Sequence, residues 1–281
     1  MRKLYSPKVV KSLMEAYNVK FSKSLGQNFL VDGNFVRKIV EASDIEGKNV
    51  IEVGPGIGTL TYELAQKAKK VVAIEIDRGL IPILNENLKE FDNALVIRED
   101  ILKADIKKIV ENEFNGEEFT LVSNLPYYIT TPIIEKFAAN NINCKKMTIM
   151  IQKEVSDRIL SKENEKDYSA LSLFVKFYSN AKKEFNVPKS VFMPKPKIDS
   201  TVLTLDLRIY DENVDRKRLF DLIHAGFTQR RKTILNSLSQ VVPKEDLIKI
   251  FEELSISEKL RAENLSLDDY IAITNELENY N

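Results

Sequence analysis

The stretch Val50-Ile51-Glu52-Val53-Gly54-Pro55-Gly56-Ile57-Gly58 decides the fold that we predict for this chain of 281 residues. An apolar run leads into a turn with three glycines, and a helical pattern follows. Glycine lets the backbone bend sharply and lets a ligand approach without a Cβ in the way. The stretch therefore predicts a strand, a ligand-binding turn and a helix in succession.

Outward from this stretch, short apolar runs alternate with helical patterns as far as residue 207, which is typical of a sheet with crossover helices. The predicted strands are Asn49–Val53, Val71–Glu75, Ala94–Arg98, Phe119–Ser123 and Met147–Ile151, with helices near 59–69, 79–90, 104–113 and 132–140. Extended runs near 183–187 and 201–207 predict an antiparallel edge. The predicted fold class is α/β, with helices on both faces of the sheet.

The pattern changes after Tyr210, where it becomes helical throughout. The predicted helices lie near 215–224, 227–240, 243–253, 257–262 and 266–278. We place one domain boundary here. Residues 1–209 are predicted to form the ligand-binding α/β domain, and residues 210–281 a small all-helical domain.

A single cysteine, Cys144, and a single histidine, His224, restrict the chemistry. One cysteine forms neither an internal disulfide nor a metal cluster, which fits a reducing cytosol and excludes a zinc mechanism. We predict no metal site and no catalytic role for His224. No apolar run approaches the roughly 20 residues that span a bilayer, and no signal peptide is visible, so we expect a cytoplasmic protein.

Charge is unevenly distributed along a chain whose formal net charge is zero. Residues 1–26 carry six Lys/Arg and one Glu, and residues 186–235 carry ten Lys/Arg and six Asp/Glu. Residues 236–281 carry four basic and ten acidic side chains. A phosphate backbone responds to the local patch, because salt limits electrostatic reach to about 8–10 Å. The two basic segments either bind RNA or are ordinary solvated surface.

Acidic side chains stand at three predicted strand ends. Glu75 ends the second strand, 21 residues after Gly54, where a carboxylate can hold both ribose hydroxyls. Glu52 precedes the glycine turn and Asp100 follows the third strand. Three carboxylates would repel the pyrophosphate of NAD, whereas they suit a ligand with a sulfonium and an ammonium group. We therefore expect S-adenosylmethionine as the cofactor, with NAD as the alternative.

The tetrapeptide Asn124-Leu125-Pro126-Tyr127 follows the fourth strand. The 6-amino group of adenine is a poor nucleophile, and the Asn124 amide oxygen and the Pro126 carbonyl can each accept one of its hydrogens. Tyr127 offers a ring on which an extruded base can stack. We predict these three residues as catalytic, acting by position and electrostatics without a strong base. The alternative is that Asn124 and Pro126 only end a strand and begin a turn.

Six motifs together carry a resemblance to a known family. They are Ser24-Leu25-Gly26-Gln27-Asn28-Phe29-Leu30, the glycine turn at 54–58, Asn124–Tyr127, Gln152-Lys153-Glu154-Val155, the loop Phe192–Ser200 and Phe227–Thr233. Over nearly its whole length the chain resembles the small-subunit ribosomal RNA adenine dimethyltransferases of bacteria, with their archaeal and eukaryotic relatives. The resemblance implies the Rossmann-like sheet of a class I S-adenosylmethionine methyltransferase.

The same resemblance implies a set of cofactor contacts and a substrate. The cofactor contacts are Asn28, Leu30, Gly54, Glu75, Asp100 and Asn124, to which the glycine pattern adds Gly56. The implied substrate is a pair of adjacent adenines near the 3′ end of small-subunit RNA, each methylated twice. From this we expect RNA binding, a role in rRNA processing and ribosome biogenesis, a pre-ribosomal particle as partner and a monomeric protein.

Several residues are predicted to contact RNA. Lys195 and Lys197 make the loop Phe192–Ser200 basic, and Phe192 is either a second stacking surface or a core anchor. Arg230, Arg231 and Lys232 are consecutive on a predicted helix, so they fan across roughly 200° of its surface and suit a phosphate backbone. Solvent-facing charge without a partner is the alternative. The basic residues Arg2, Lys3, Lys8 and Lys11 are predicted to form a flexible arm.

Two other functions remain open on the sequence. One is a methyltransferase of large-subunit RNA, which would share the glycine turn and the Asn-Pro pair but should be more uniformly basic. The other is an RNA-binding assembly factor that has lost catalysis, against which Glu75, Asp100 and Asn124 argue together. A DNA adenine methyltransferase is disfavoured because no DNA-reading module is visible.

Overall fold

A computed structural model describes residues 4–19, 21–22 and 25–279. The strands are β1 (Phe29–Leu30), β2 (Asn49–Val53), β3 (Lys70–Glu75), β4 (Ala94–Arg98), β5 (Phe119–Asn124), β6 (Cys144–Gln152), β7 (Ser179–Val187), β8 (Phe192–Met193) and β9 (Ser200–Leu207). The α-helices are α1 (Pro7–Ala16), α2 (Gly33–Ser43), α3 (Thr59–Ala65), α4 (Ile81–Leu88), α5 (Ile106–Phe114), α6 (Thr130–Ala139), α7 (Lys153–Leu160), α8 (Ala170–Tyr178), α9 (Arg216–Thr228), α10 (Ile234–Leu238), α11 (Lys244–Glu253) and α12 (Leu267–Asn279). Among these described residues, no helix is long and apolar enough to cross a membrane.

A seven-stranded sheet forms the centre of the fold, in the order β4-β3-β2-β5-β6-β9-β7. The pairs from β4 to β6 are parallel, and β9 runs antiparallel to β6. The five predicted core strands and the α/β class are confirmed. The two predicted extended runs are neighbours in the sheet as β7 and β9, but β9 lies inside the sheet, where it is antiparallel to β6, and of the two only β7 is an edge strand.

The chain order of the strands creates a crevice at the end of β2. From β2 the chain proceeds to β3 and β4 on one side of the sheet, and later to β5 and β6 on the other. Connections that leave in opposite directions open a gap at the carboxyl ends of the two central strands, where ligands bind in open α/β sheets. Because β2 and β5 are those strands, the glycine turn and Asn124 both lie at this gap.

The N-terminal region differs from its prediction. Arg2 and Lys3 lie outside the described residues, but Lys8 and Lys11 lie on α1, whose Val10 and Met14 are buried in an apolar cluster with side chains from the sheet domain. The flexible basic arm predicted here is therefore wrong for these two lysines. Proline at the start of α1 and apolar residues along one face favour a helix that packs against the core. The prediction of a flexible arm considered only the lysines and not this apolar face.

The chain divides into two compact units. The first comprises the described part of Met1–Ser156 together with Lys182–Leu207, and the second comprises Asp157–Ala181 with the described part of Arg208–Asn281. The predicted division into residues 1–209 and 210–281 stays a prediction about domains. One boundary between the two units falls between residues 207 and 208, close to the predicted boundary. In addition, the segment Asp157–Ala181, which contains α8, belongs to the second unit, although the sequence assigned it to the first domain.

Two helices predicted for the second unit are wrong. The predicted helix 227–240 is broken, because α9 ends at Thr228, a turn covers residues 229–232, and α10 begins only at Ile234. The predicted helix 257–262 is also absent, and this segment instead leads to a single 3-10 turn, Ala262–Asn264. Buried apolar side chains lie on both sides of the break. Their spacing in the sequence resembles that of one continuous helix, although the residues between them are not helical.

Candidate active site

A cleft at the carboxyl edge of the sheet brings the predicted cofactor and catalytic residues together. It encloses about 1000 Å³ of empty space, including its open mouth. The predicted residues that line it are Asn28, Leu30, Gly54, Gly56, Glu75, Asp100, Asn124, Pro126 and Tyr127. All of them belong to the first unit. The residues predicted to contact RNA are not among those that line this cleft.

The glycine turn makes one wall of the cleft, and its backbone requires glycine. Gly54 and Gly56 have φ values of +66° and +65°, a conformation that side chains with a Cβ rarely adopt. A Cβ on Gly56 would lie 2.6 Å from the ring of Phe29, and one on Gly54 would lie 3.3 Å from Pro126. The turn therefore combines positive φ with close approach of the segments that carry Asn28 and Asn124.

Glu75 is held in place by the backbone. It is 5% exposed, its Oε2 accepts the N–H of Gly56 at 3.1 Å, and its Oε1 accepts the N–H of Asp77 at 2.8 Å. Burial raises the pKa of Glu75, and these two hydrogen bonds oppose the rise. A carboxylate oxygen has room for two donors. Each oxygen can therefore still accept a hydroxyl of a ribose.

Glu52 differs from the carboxylate that the sequence suggested. It is 2% exposed, and its Oε2 has no hydrogen-bond partner. Burial raises the pKa of Glu52 to about 8, and the neighbouring charge of Glu75 adds to the rise. Glu52 is therefore mostly neutral at pH 7, so in this state it does not supply the negative charge that the sequence suggested.

The remaining predicted cofactor positions, Asp100, Asn28 and Leu30, also line the cleft. Asp100 is partly exposed, and its Oδ1 accepts a hydrogen bond from the N–H of Leu102 at 3.0 Å, which orients the carboxylate just after β4. The side-chain amide of Asn28 donates to the carbonyl of Gly26 at 2.8 Å. Leu30, in β1, is buried in the core. Asp100 thus offers a polar acceptor, whereas Leu30 offers an apolar contact.

Asn124 is the last residue of β5, and only the nitrogen of its side-chain amide has a hydrogen-bond partner. Its Nδ2 donates to the carbonyl of Asn28 at 3.2 Å, which fixes the orientation of the side chain. Its Oδ1 is buried and has no partner. A buried amide oxygen without a donor is costly, so such an atom in a cleft points to a ligand that donates a hydrogen bond.

The catalytic role of the Pro126 carbonyl stays a prediction. That oxygen accepts a hydrogen bond from the N–H of Ile129 at 3.2 Å, in the turn that leads into α6. The hydroxyl of Thr130 lies 3.3 Å from the same oxygen and 3.4 Å from the carbonyl of Tyr127, and its single hydrogen can serve only one of them at a time. A carbonyl oxygen has two lone pairs, so the Pro126 oxygen can still accept an amine hydrogen when Thr130 donates to Tyr127. The proline ring packs against Gly54.

Two tyrosines follow Pro126 in a 3-10 turn, Tyr127–Ile129. Tyr127 is half-buried, and its hydroxyl lies 2.7 Å from Oγ of Ser200. Tyr128, which the sequence reasoning did not assign to the site, also lines the cleft and is 53% exposed. Its pKa is raised by burial and by Asp100 and Glu75. Its place directly after the tetrapeptide was the available signal.

The loop predicted to contact RNA has an exposed part and a buried part. Lys195 and Lys197 are exposed, as RNA contacts must be. Phe192 is 4% exposed, lies in an apolar core cluster and pairs with Leu30 between β8 and β1. Of its two open roles, this burial fits the core anchor, and the stacking role stays a prediction.

Arg230, Arg231 and Lys232 lie in the turn between α9 and α10, so the prediction of a helical fan is wrong. All three are exposed, but they are not equivalent. Arg230 donates to the carbonyl of Lys166 at 2.9 Å and to that of Tyr168 at 3.4 Å. Arg230 therefore holds its own unit together, and Arg231 and Lys232 are the better candidates for phosphate contacts.

The sheet order and the cleft define a class I methyltransferase. The crystal structure of a dimethyladenosine transferase from Plasmodium falciparum matches with a TM-score of 0.75 and 28% identity, covering 88% of this chain and 96% of that one. The crystal structure of the 23S rRNA methyltransferase ErmE matches with a TM-score of 0.67 and 24% identity over 89% of this chain and 99% of that one, and shows the fold alone.

The family follows from the sequence comparisons. The family model described as ribosomal RNA adenine dimethylase matches residues 18–279, and this chain belongs to that family of methyltransferases. Proteins named ribosomal RNA small subunit methyltransferase A are similar throughout: that of Clostridioides difficile is 46% identical over 98% of this chain and 97% of its own length. That of Alkaliphilus oremlandii is 46% identical over 99% of each chain. Membership implies a cofactor of the S-adenosylmethionine type.

Proposed function

We propose that this protein transfers methyl groups from S-adenosylmethionine to the 6-amino groups of two adjacent adenosines near the 3′ end of small-subunit ribosomal RNA. The reaction would belong to ribosome biogenesis in the cytoplasm. The names of the relatives support the substrate class. The observation that carries the chemistry is the buried Oδ1 of Asn124, which has no partner and lies in the same cleft as Glu75.

The residues of the cleft fit S-adenosylmethionine. The glycine turn has a positive-φ backbone that residues with a Cβ rarely adopt, and it packs closely against Phe29 and Pro126 at the wall of the cleft. Glu75 can accept ribose hydroxyls, and Asp100 can accept an adenine amine. A positive charge bound near Glu52 would lower its raised pKa, because an opposite charge favours the ionised carboxylate. Glu52 could then be an anion beside the cofactor. When bound, this cofactor supplies an electrophilic methyl group on a positively charged sulfur.

Asn124 and Tyr127 would act on the adenine. The amide oxygen of Asn124 accepts a hydrogen of the 6-amino group, which draws the nitrogen lone pair out of conjugation with the ring. The ring of Tyr127 stacks on the base after it has left its helix. Because the nucleophile is held by fixed groups, orientation and preorganised electrostatics provide the rate enhancement. Asn124 thus needs no change of charge during the reaction.

The exposed cations would bind the phosphate backbone. Lys195 and Lys197 serve in the first unit, and Arg231 and Lys232 in the second. Contacts of this kind position RNA without reading its sequence, so the choice of adenines would come from the shape of a pre-ribosomal particle. We propose that a monomer acts on that particle.

Mass spectrometry of ribosomal RNA tests this proposal. Small and large ribosomal subunits that lack adenine dimethylation are incubated with the protein and isotope-labelled S-adenosylmethionine. We expect labelled dimethyladenosine at two adjacent positions in small-subunit RNA. Label in large-subunit RNA alone would contradict the substrate, and RNA binding without any label would contradict the enzymatic proposal. If no label appears, calorimetry with the cofactor shows whether the protein fails to bind S-adenosylmethionine or binds it but does not accept the RNA that was offered.

A further inference from the structure

One hydrogen bond joins Tyr127, which follows β5, to β9, the second strand along from β5 in the sheet. Its hydroxyl lies 2.7 Å from Oγ of Ser200, and either group can donate. Ser200 is the first residue of β9 and pairs with Gln152 at the end of β6. The bond therefore connects the Asn124–Tyr127 turn to the end of the loop that carries Lys195 and Lys197.

Ser200 is a rigid attachment point. It is 0% exposed, and the residue before it is fixed twice: the carbonyl of Asp199 accepts the N–H of Lys153 at 3.0 Å, and Oδ1 of Asp199 accepts the N–H of Lys189 at 2.9 Å. A hydroxyl with so little freedom can determine where its partner lies.

The ring of Tyr127 needs such a determinant. It sits on a short 3-10 turn rather than on a long helix or a strand, and it is only half-buried. Burial raises the pKa of the Tyr127 phenol above its ordinary value, so the hydroxyl is protonated at neutral pH and the bond to Ser200 is available there. The bond to Ser200 fixes the outer end of the ring, and the backbone turn fixes the inner end.

We propose that Ser200 is a positioning residue for methyl transfer, whose hydroxyl holds the ring of Tyr127 in the orientation that receives the extruded adenine. The inference rests on the proposed function, in which Tyr127 supplies the stacking ring. A base that stacks on a tilted ring presents its 6-amino group at a wrong angle, which lowers the rate of transfer without weakening the binding of the cofactor.

A double-mutant cycle tests the inference. Ser200→Ala and Tyr127→Phe each remove one partner of the bond, and the double variant removes both. Methyl transfer to small subunits is measured for all four proteins, with cofactor affinity by calorimetry and thermal melting as checks. We expect each single variant to lower kcat about tenfold with cofactor affinity within about twofold of wild type, and the double variant to be no slower than either. Ser200→Thr, which keeps the hydroxyl, should restore the rate.

Thr204→Val is the matched control. Thr204 lies on the same strand, is 3% exposed, and its hydroxyl donates to Glu184 at 2.7 Å, far along β9 from Tyr127. Its rate should equal that of wild type after any loss of melting temperature is taken into account. If Ser200→Ala unfolds at too low a temperature to be assayed, the rates of Tyr127→Phe, which lacks the bond, and Ser200→Thr, which keeps it, still test whether the bond affects methyl transfer.

The outcomes separate this inference from the proposed function. Effects that multiply to about a hundredfold in the double variant, or a Ser200→Ala variant with the wild-type rate, overturn the positioning role alone. Wild-type protein that leaves small subunits unmethylated overturns the proposed function and this inference with it.

Discussion

The cleft at the sheet edge and the turn at residues 229–232 hold their polar groups in different ways. In the cleft, two backbone N–H groups orient Glu75, and a backbone carbonyl orients Asn124. In the turn, Arg231 and Lys232 are exposed, and the backbone closes with a bond of 2.8 Å from the N–H of Lys232 to the carbonyl of Gln229. The cleft holds the side-chain oxygens of Glu75 and Asn124 in fixed positions, whereas the turn exposes two positive charges to solvent.

The difference matches two kinds of task. Methyl transfer depends on geometry at the scale of a hydrogen bond, so its residues lie where parallel strands end and are oriented by backbone hydrogen bonds. Attraction to phosphate acts over about 8–10 Å at physiological salt, so exposed and mobile cations are sufficient. Changes in the cleft should therefore have large, specific effects, and changes in the turn should have small effects that depend on salt.

The largest effect is expected at Asn124. Asn124→Ala removes the buried acceptor and should lower kcat by at least about a hundredfold, because one preorganised hydrogen bond to a reacting group contributes that much. Cofactor affinity measured by calorimetry should change only a few-fold. Asn140→Ala, at an exposed amide that donates to the carbonyl of Lys136, is the control. A variant at Asn124 that still methylates at the wild-type rate would remove the cleft from the chemistry.

The glycine turn gives the next effect. Gly56→Ala and Gly47→Ala both place a Cβ at positive φ, +65° and +67°, and each should lose roughly 1 kcal/mol of stability or more. Only at Gly56 does the Cβ meet the ring of Phe29, whereas nothing lies within 4 Å at Gly47. Calorimetry should show cofactor affinity at least about tenfold weaker for Gly56→Ala and unchanged for Gly47→Ala. Equal affinities would show that the turn does not contact the cofactor.

Glu52 provides a test by pH. Its pKa is about 8 in the fold because of burial and nearby Glu75, against an ordinary value of 4.5. Between these values the folded protein keeps a proton that the unfolded chain releases, so the free energy of unfolding falls as pH rises through this window. Glu52→Gln removes that contribution, and its melting temperature should fall less than that of wild type between pH 5 and pH 8.

The control for this experiment is Glu46→Gln, at an exposed position. Its melting curve against pH should run parallel to that of wild type. If Glu52→Gln also runs parallel, Glu52 is ionised in the fold and the cleft is less sheltered from water than its burial indicates.

The smallest effect is expected in the turn. Charge reversal of Arg231 and Lys232 should weaken RNA binding several-fold and lower the dependence of log Kd on log salt by about one unit for each phosphate that the protein no longer neutralises. Lys244→Glu combined with Lys259→Glu, at two exposed positions of the same unit, changes the net charge by the same four units and is the control. An unchanged salt slope, measured by filter binding or fluorescence anisotropy, would place the RNA surface elsewhere.

The two regions were also unequal in what the sequence could predict. Spacing along the chain was enough for Glu75, Asp100 and Asn124, because parallel strands bring their carboxyl ends to one edge whatever the loops between them do. The turn was predicted as a helix because buried Ile234 and Leu235 continue the apolar spacing of α9 across a break that no proline or glycine marks.

Other features depend on contacts that spacing does not encode. The hydrogen bond from the N–H of Ile129 to the Pro126 carbonyl, which occupies one lone pair of the predicted acceptor, becomes visible only in three dimensions. The neutral state of Glu52 requires knowledge of burial. Helix α8 was not predicted because it has few polar side chains to mark an outer face, and a short apolar run is equally consistent with a strand.

A crystal structure with the demethylated cofactor, S-adenosylhomocysteine, would show whether the cleft binds the methyl donor. We expect density for its ribose at the Glu75 carboxylate, for its adenine amine at Asp100, and for its sulfur on the side of the cleft that holds the free amide oxygen of Asn124. Density for the ligand at any other place on the protein, with this cleft left to solvent, would exclude Glu75, Asp100 and Asn124 as the methyl-transfer site.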